Sequence, residues 1–242
     1  MSKAVPFASR QHRGEAHAVS LGGRLNWLRA GVLGANDGLV STAGIVVGVA
    51  GATSTLSTIF TAGVAGLVAG SLSMAGGEYV SVSTQRDTEA AALDRERREL
   101  AEMPEIELAE LTRLYQERGI SEQLAAQVAA ELTARDALRA HAETELQIDP
   151  EALTNPWQAA GASFLAFAVG GLIPAIAILA PLEDWRIAIC VVAVVIGLIA
   201  TGYSSARLGN ANPGPAVVRN VAVGIITMAI TWVVGRLTGG LV

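Results

Sequence analysis

Residues 71–103, SLSMAGGEYVSVSTQRDTEAAALDRERRELAEM, change character without losing their helical signal. Up to Val82 the run is apolar enough to lie in a bilayer, and from Arg86 it is dense in charge, with no proline between. The stretch therefore reads as one long helix that leaves a membrane and enters the cytoplasm until Pro104 interrupts it. The 242-residue chain around it is 51% hydrophobic and only 16% charged, with a mean hydropathy of +0.44. An average soluble domain carries about 25% charge. The charges are also segregated: between Arg86 and Glu151 lie 17 of the 22 acidic and 8 of the 17 basic residues, a local net charge of −9 against +4 elsewhere. One acidic domain is thus set between apolar stretches. The missing basic patch argues against nucleic acid as a partner. The single cysteine, Cys190, excludes a disulfide framework and, inside an apolar run, reads as a packing residue.

A helix needs roughly 20 apolar residues to cross about 30 Å of hydrocarbon. Five runs qualify: about Trp27 to Ala52, Leu56 to Val82, Pro156 to Leu179 with a kink expected at Pro174, Trp185 to Ala206, and Pro215 to Val234. Trp27, Trp157, Trp185 and Trp232 fall near their ends, where aromatic belts form. Fifteen Lys and Arg fall on the side of the N-terminal segment and the acidic domain, and only Arg186 and Arg236 on the other. The positive-inside rule then places the N-terminus and the acidic domain in the cytoplasm and the C-terminus outside. No apolar signal-peptide core is read in residues 1–20. The expected division is a cytoplasmic segment (1–26), spans 1 and 2 (27–85), the acidic helical domain (86–155) and spans 3 to 5 (156–242). Gly66-xxx-Gly70, flanked by Gly63 and Gly76-Gly77, invites another helix to approach. Its partner is either a helix of the same chain or a second copy, and five spans leave little room for a pathway within one chain. A homodimer with the pathway between protomers is the expectation.

The acidic domain reads as three helical pieces with no strand signal. The first continues span 2, the second starts at Pro104 and ends at Gly119, and the third is capped by Ser121 and runs to about Leu146. Glu96 and Glu99, and Glu107 and Glu110, are spaced three apart, so each pair shares a helix face. Two such pairs beside His141 and Glu145, four apart, suit a divalent transition metal such as Fe²⁺ or Mn²⁺ better than Ca²⁺. Zn²⁺ or Co²⁺ would fit the same donors. The plainer alternative is a solvated face, partly neutralised by Arg95, Arg97 and Arg98.

Inside the first span, Asp37 stands in GANDG, about 15 Å from the cytoplasmic edge at 1.5 Å per residue. A carboxylate there costs at least about 2.5–3.5 kcal/mol and usually lines a pathway, the alternative being a structural cap or hydrogen bond. Met74 and Glu78 share a face of the second span, Met74 at a similar depth. A thioether beside two carboxylates discriminates against Mg²⁺ and Ca²⁺. Carboxylates also exchange metal for protons. Asp37, Met74 and Glu78 together read as a transport site.

NDGLVST in the first span, SMAGGEYVSVSTQRD at the end of the second, and the acidic insert before NPWQAAGASFLAFAVGGLIP resemble the vacuolar iron transporter family, from Leu28 onward. The resemblance implies a dimeric, five-helix transporter that moves Fe²⁺, and often Mn²⁺, out of the cytoplasm in exchange for protons. It also implies a cytoplasmic domain that binds metal through glutamates. Asp37 and Met74 match the family's membrane aspartate and methionine, and Glu96, Glu99, Glu107, Glu110 and Glu145 match its cytoplasmic glutamates. His141 departs from the family pattern, which often has methionine nearby, and Glu102 and Glu105 would be supporting or solvated charge.

The expected protein is an all-α, multi-pass membrane protein and a metal/proton antiporter rather than an enzyme. The expected partners are metal ions, protons and the bilayer. A dedicated Mn²⁺ exporter is the nearest alternative. A membrane-anchored iron-binding sensor or oxidase would need Glu-x-x-His pairs on two helices, which the sequence lacks. A metal-independent scaffold would leave Asp37 unexplained. Ala- and Arg-rich composition with one Lys points to a prokaryotic plasma membrane, or to a vacuolar membrane if the source is eukaryotic.

Overall fold

The computed structural model describes residues 21–151 and 153–240, with side chains from residue 31 onward. Most of the N-terminal segment expected at 1–26 lies outside the described residues. Every regular element among them is helical: α1 (Leu21–Ala52), α2 (Leu56–Glu102), α3 (Pro104–Glu117), α4 (Glu122–His141) with a π-helical turn (Ala142–Leu146), α5 (Pro156–Ala177), α6 (Arg186–Leu208) after a short 3₁₀ turn, and α7 (Pro213–Thr238). Helices α1, α2, α5, α6 and α7 are long and apolar enough to cross a membrane.

The helix ends follow local chemistry. Helices α3, α5 and α7 each begin on a proline, whose missing N–H costs nothing in a first turn. Asn155 Oδ1 accepts from the Trp157 N–H at 3.0 Å, and Asn212 Oδ1 from the Gly214 N–H at 3.0 Å, so both helices start with a side-chain cap. Gly119, at φ +89°, takes the left-handed conformation that ends α3. Pro174 lies inside α5 but only three residues before its end at Ala177, so the expected kink falls in the last turn.

The chain folds as two compact units, one made of the described residues up to Ala75 and from Gly161, the other Gly76–Ala160. In the first, α1 is central and meets each of the other four long helices through small residues. Its Gly38 faces the Phe167 and Gly171 backbone of α5, and Gly48 faces Gly235 of α7. Ile45 covers Gly66 of α2, and Leu39 covers Gly197 of α6. Gly63 and Gly66 of α2 therefore pack against α1, while Gly76 and Gly77 face nothing within 4 Å. Leu39, Val46, Val47, Ile59, Ile178, Cys190, Val194, Leu198 and Met228 form the buried core, where Cys190 is a packing residue as expected. Apolar side chains such as Leu72, Val169, Ile196 and Val218 point outward, as a surface facing lipid requires.

In the second unit, Leu111, Ala129 and Ala140 form a small core with Leu108, Tyr115 and Leu132 against it. Helices α3 and α4 pack side by side over alanines, which bring the backbones close and aim α4's last turn at the carboxylates of α2 and α3.

Candidate metal centre

The stripe that buries α2 in the second unit runs through Leu93 to Glu96, and the stripe of α3 runs from Glu107 to Leu111. On each helix a carboxylate thus occupies a position where an apolar side chain would ordinarily pack. His141, at the end of α4, enters the same space. The three side chains are 2%, 7% and 0% exposed, in the order Glu96, Glu107, His141. His141 Nδ1 lies 3.0 Å from Glu96 Oε1, 3.7 Å from Glu107 Oε2 and 3.6 Å from Glu145 Oε2. One donor atom from each of Glu96, Glu107 and His141 lies within 4.8 Å of the others.

This arrangement is costly as it stands. Three carboxylates face one imidazole, and burying charge without a matching partner costs several kcal/mol. Burial, then the Glu145 charge, pushes the Glu96 carboxyl above the usual carboxylate range, with Glu107 and Glu99 adding to the rise and a charged His141 opposing it. Glu107 is raised for the same leading reason, burial, with His141 opposing and Glu110, Glu99 and Glu145 adding to the rise. Despite the 3.0 Å approach, Glu96 Oε1 and His141 Nδ1 make no hydrogen bond, and His141 Nε2 is buried without a partner as well. Buried polar atoms left open in this way call for an ion or an explanation.

A divalent cation satisfies the geometry. Donors held about 2.1 Å from one ion lie roughly 3.0 Å apart at octahedral angles and 3.4 Å at tetrahedral ones. The spacings of 3.0, 3.6 and 3.7 Å from His141 Nδ1 fall in and just beyond that range, and the donors of Glu96, Glu107 and His141, all within 4.8 Å of one another, would close further around an ion. One nitrogen and several carboxylate oxygens make a borderline-hard set, suited to Fe²⁺, Mn²⁺, Zn²⁺ or Co²⁺.

The other expected donors are less committed. Glu99 and Glu110 are half-buried, and each has a cation of its own helix beside it, Arg95 at 3.7 Å and Arg113 at 3.4 Å. Each i,i+3 pair is therefore split, with one member in the cluster and one at its rim. Glu102 and Glu105 are exposed. Spacing alone could not separate Glu96 from Glu99, but Leu93-x-x-Glu96-x-x-x-Leu100 carries the signal, since it puts Glu96 in line with two leucines.

In the first unit, Asp37 is half-buried on α1 and accepts a hydrogen bond from Ser41 Oγ at 3.0 Å, one turn on in its own helix. Its neighbour Asn36 keeps a buried Oδ1 without a partner, and so does Thr42 its Oγ1. Met74 is half-buried on α2. Glu78, also half-buried, belongs to the second unit.

Comparison with known proteins places this architecture. The VIT family model matches residues 28–236. The chain belongs to the vacuolar iron transporter (VIT) family. A vacuolar iron transporter of Acanthamoeba castellanii is 42% identical over 226 residues, covering 93% of this chain and 83% of that protein. The vacuolar iron transporter homolog 2.1 of Arabidopsis thaliana is 36% identical, covering 94% and 88%. Homolog 1 of Oryza sativa is 35% identical, covering 96% and 82%. With five helices of membrane-spanning length, this VIT family member is a multi-pass membrane protein.

Sequence reading did not anticipate the segment that carries His141 and Glu145. Helix α4 is broken at Asp136 (φ −162°, ψ 95°), whose Oδ1 accepts from the Arg139 N–H at 3.0 Å and caps the restarted turn. The chain then passes into the π-helical turn Ala142–Leu146 instead of continuing as α-helix to Leu146. An aspartate within an Ala- and Arg-rich helix was the available signal, because Asp competes for backbone N–H groups.

Proposed function

We propose that this chain carries Fe²⁺, and also Mn²⁺, out of the cytoplasm in exchange for protons. The observation that carries the reading is the buried Glu96–Glu107–His141 cluster, with open donor atoms, in a multi-pass protein whose relatives are named vacuolar iron transporters. Glu145 completes the inner set, and Glu99 and Glu110 form its rim. Asp37, with Met74 and Glu78, forms the site in the membrane, where the Met74 thioether favours Fe²⁺ over Mg²⁺ and Ca²⁺. Protons enter the cycle because a carboxylate releases metal when it is protonated. The second unit lies on the cytoplasmic side, gathers metal and raises its local concentration. A homodimer provides the pathway between protomers.

Metal-driven proton flux in proteoliposomes under an imposed pH gradient tests the reading. Wild-type protein moves protons when Fe²⁺ or Mn²⁺ is added, and Asp37→Asn does not. Metal binding without flux in either protein removes the transporter and leaves a metal sensor. A Met74→Ala variant that loses Fe²⁺ and Mn²⁺ flux equally removes the sulfur's proposed preference for iron.

A further inference from the structure

We propose that Arg118, Tyr115 and Thr144 form a positioning clamp that aims Glu145 and His141 at the metal. The proposal rests on the metal-binding reading above. His141 and Glu145 stand on a short stretch between two backbone breaks, Asp136 upstream and Gln147 downstream, the latter at φ 56° in the left-handed region. So few helical residues hold their shape poorly by themselves. Bonds from α3 and the residue after it supply what the segment lacks. Arg118 Nη2 donates to the Thr144 carbonyl oxygen at 2.7 Å, and the Tyr115 hydroxyl lies 3.2 Å from Thr144 Oγ1. The Arg118 guanidinium also sits 5.7 Å from the centroid of the Tyr115 ring. Both bonds end on Thr144, which is buried, one residue before Glu145 and three after His141.

The donor chemistry explains why a clamp is needed. A metal-binding histidine is usually aimed by a hydrogen bond from its second ring nitrogen. Here that nitrogen, Nε2, is buried without a partner, so the ring is aimed through its backbone, and that backbone is held at Thr144. Glu145 depends on the clamp even more. Its side chain is 29% exposed, against 2% for Glu96 and 7% for Glu107, so packing fixes its rotamer least.

The test is a Co²⁺ titration of the full chain in detergent, read by affinity and by the visible absorption of the bound ion, which reports donor number and geometry. Arg118→Met is expected to weaken binding about tenfold, and Thr144→Val, which removes only the bond to Tyr115, about threefold, each altering the absorption. Arg118→Lys and Thr144→Ser, which keep a donor or a hydroxyl, retain most of the affinity. The deciding comparison is made in a Glu145→Gln background, where Arg118→Met keeps only the part of its effect that acts through His141. Full additivity there, or wild-type affinity and absorption in Arg118→Met, overturns the clamp. Should Arg118→Met fail to fold, Tyr115→Phe removes one oxygen only; an affinity loss of about threefold with the same non-additivity is expected, and no loss overturns the clamp. Glu96→Gln and His141→Ala separate the two levels of the argument. If both bind Co²⁺ like wild type, the metal centre itself is misread; if both abolish binding while Arg118→Met is neutral, only the clamp fails.

Discussion

Glu96 is the residue at which burial and function oppose each other most directly. Its carboxyl is raised above the ordinary range, first by burial, so its ionised form is disfavoured in the folded metal-free protein. A folded pKa above the unfolded one makes a stabilising contribution that is complete below the unfolded value, about 4.5, and is lost as pH rises through the folded value. Glu96→Gln removes that loss. The metal-free variant is therefore expected to melt higher than wild type near pH 7–8, by roughly 2–4 °C for each kcal/mol relieved, and to show a flatter stability profile. Its metal affinity falls at the same time, by on the order of a hundredfold. Thermal melts of both proteins across pH 5–8, with and without Mn²⁺, check both halves, and a Glu96→Gln protein that melts lower when metal-free contradicts the burial argument. The raised carboxyls also place proton competition higher than for exposed glutamates. Mn²⁺ affinity should weaken on acidification starting above the usual carboxylate range.

At the scale of the elements, glycines on two helices make opposite demands. Gly38 of α1 faces the Phe167 and Gly171 backbone with no room for a Cβ, whereas Gly76 of α2 has nothing within 4 Å of that position. Gly38→Ala must push α1 and α5 apart and is expected to cost about 1–3 kcal/mol. Gly76→Ala adds helix propensity without a clash and is expected to be neutral or stabilising by up to about 1 kcal/mol. Melting in one detergent ranks the two, and a Gly76→Ala protein less stable than Gly38→Ala would mean that α2's open face is covered by something the chain alone lacks. The elements also show how far sequence reading reaches. The five long helices were legible because a bilayer imposes a length and a polarity, and Pro104 and Gly119 mark helix ends by stereochemistry that needs no tertiary partner. The break at Asp136 and the π-helical turn were not legible. The break is capped by the Asp136 side chain itself, and the π-helical turn is bonded at Thr144 to Tyr115 and Arg118, 29 and 26 residues away in sequence. The site shows the same limit: spacing gives Glu96 and Glu99 equal standing, and the choice between them is made by which face of α2 is buried, the face that carries Leu93 and Glu96.

At the scale of the whole molecule, the sign of the loops carries a prediction that the helices alone do not. Fifteen of the 17 basic residues fall in the segments joined to one side of the spans, and the proposed orientation, with the acidic unit in the cytoplasm, rests on that bias. The single cysteine makes this directly measurable. Cys190 is fully buried in the core of the first unit, out of reach of a membrane-impermeant maleimide, so it stays silent toward that reagent. Introduced cysteines then report one position each. Ser121→Cys, at the start of α4, and Asp184→Cys, in the exposed turn before α6, lie at opposite ends of the proposed topology. In intact cells carrying the protein in the plasma membrane, Asp184→Cys is expected to label and Ser121→Cys only after permeabilisation. The reverse pattern would place the Glu96–Glu107–His141 cluster outside the cell. Metal would then be gathered where it is to be delivered, and export driven by that cluster would lose its direction. Orientation therefore tests the transport reading without any transported ion being measured, because a collecting site is useful only on the side from which the cargo leaves.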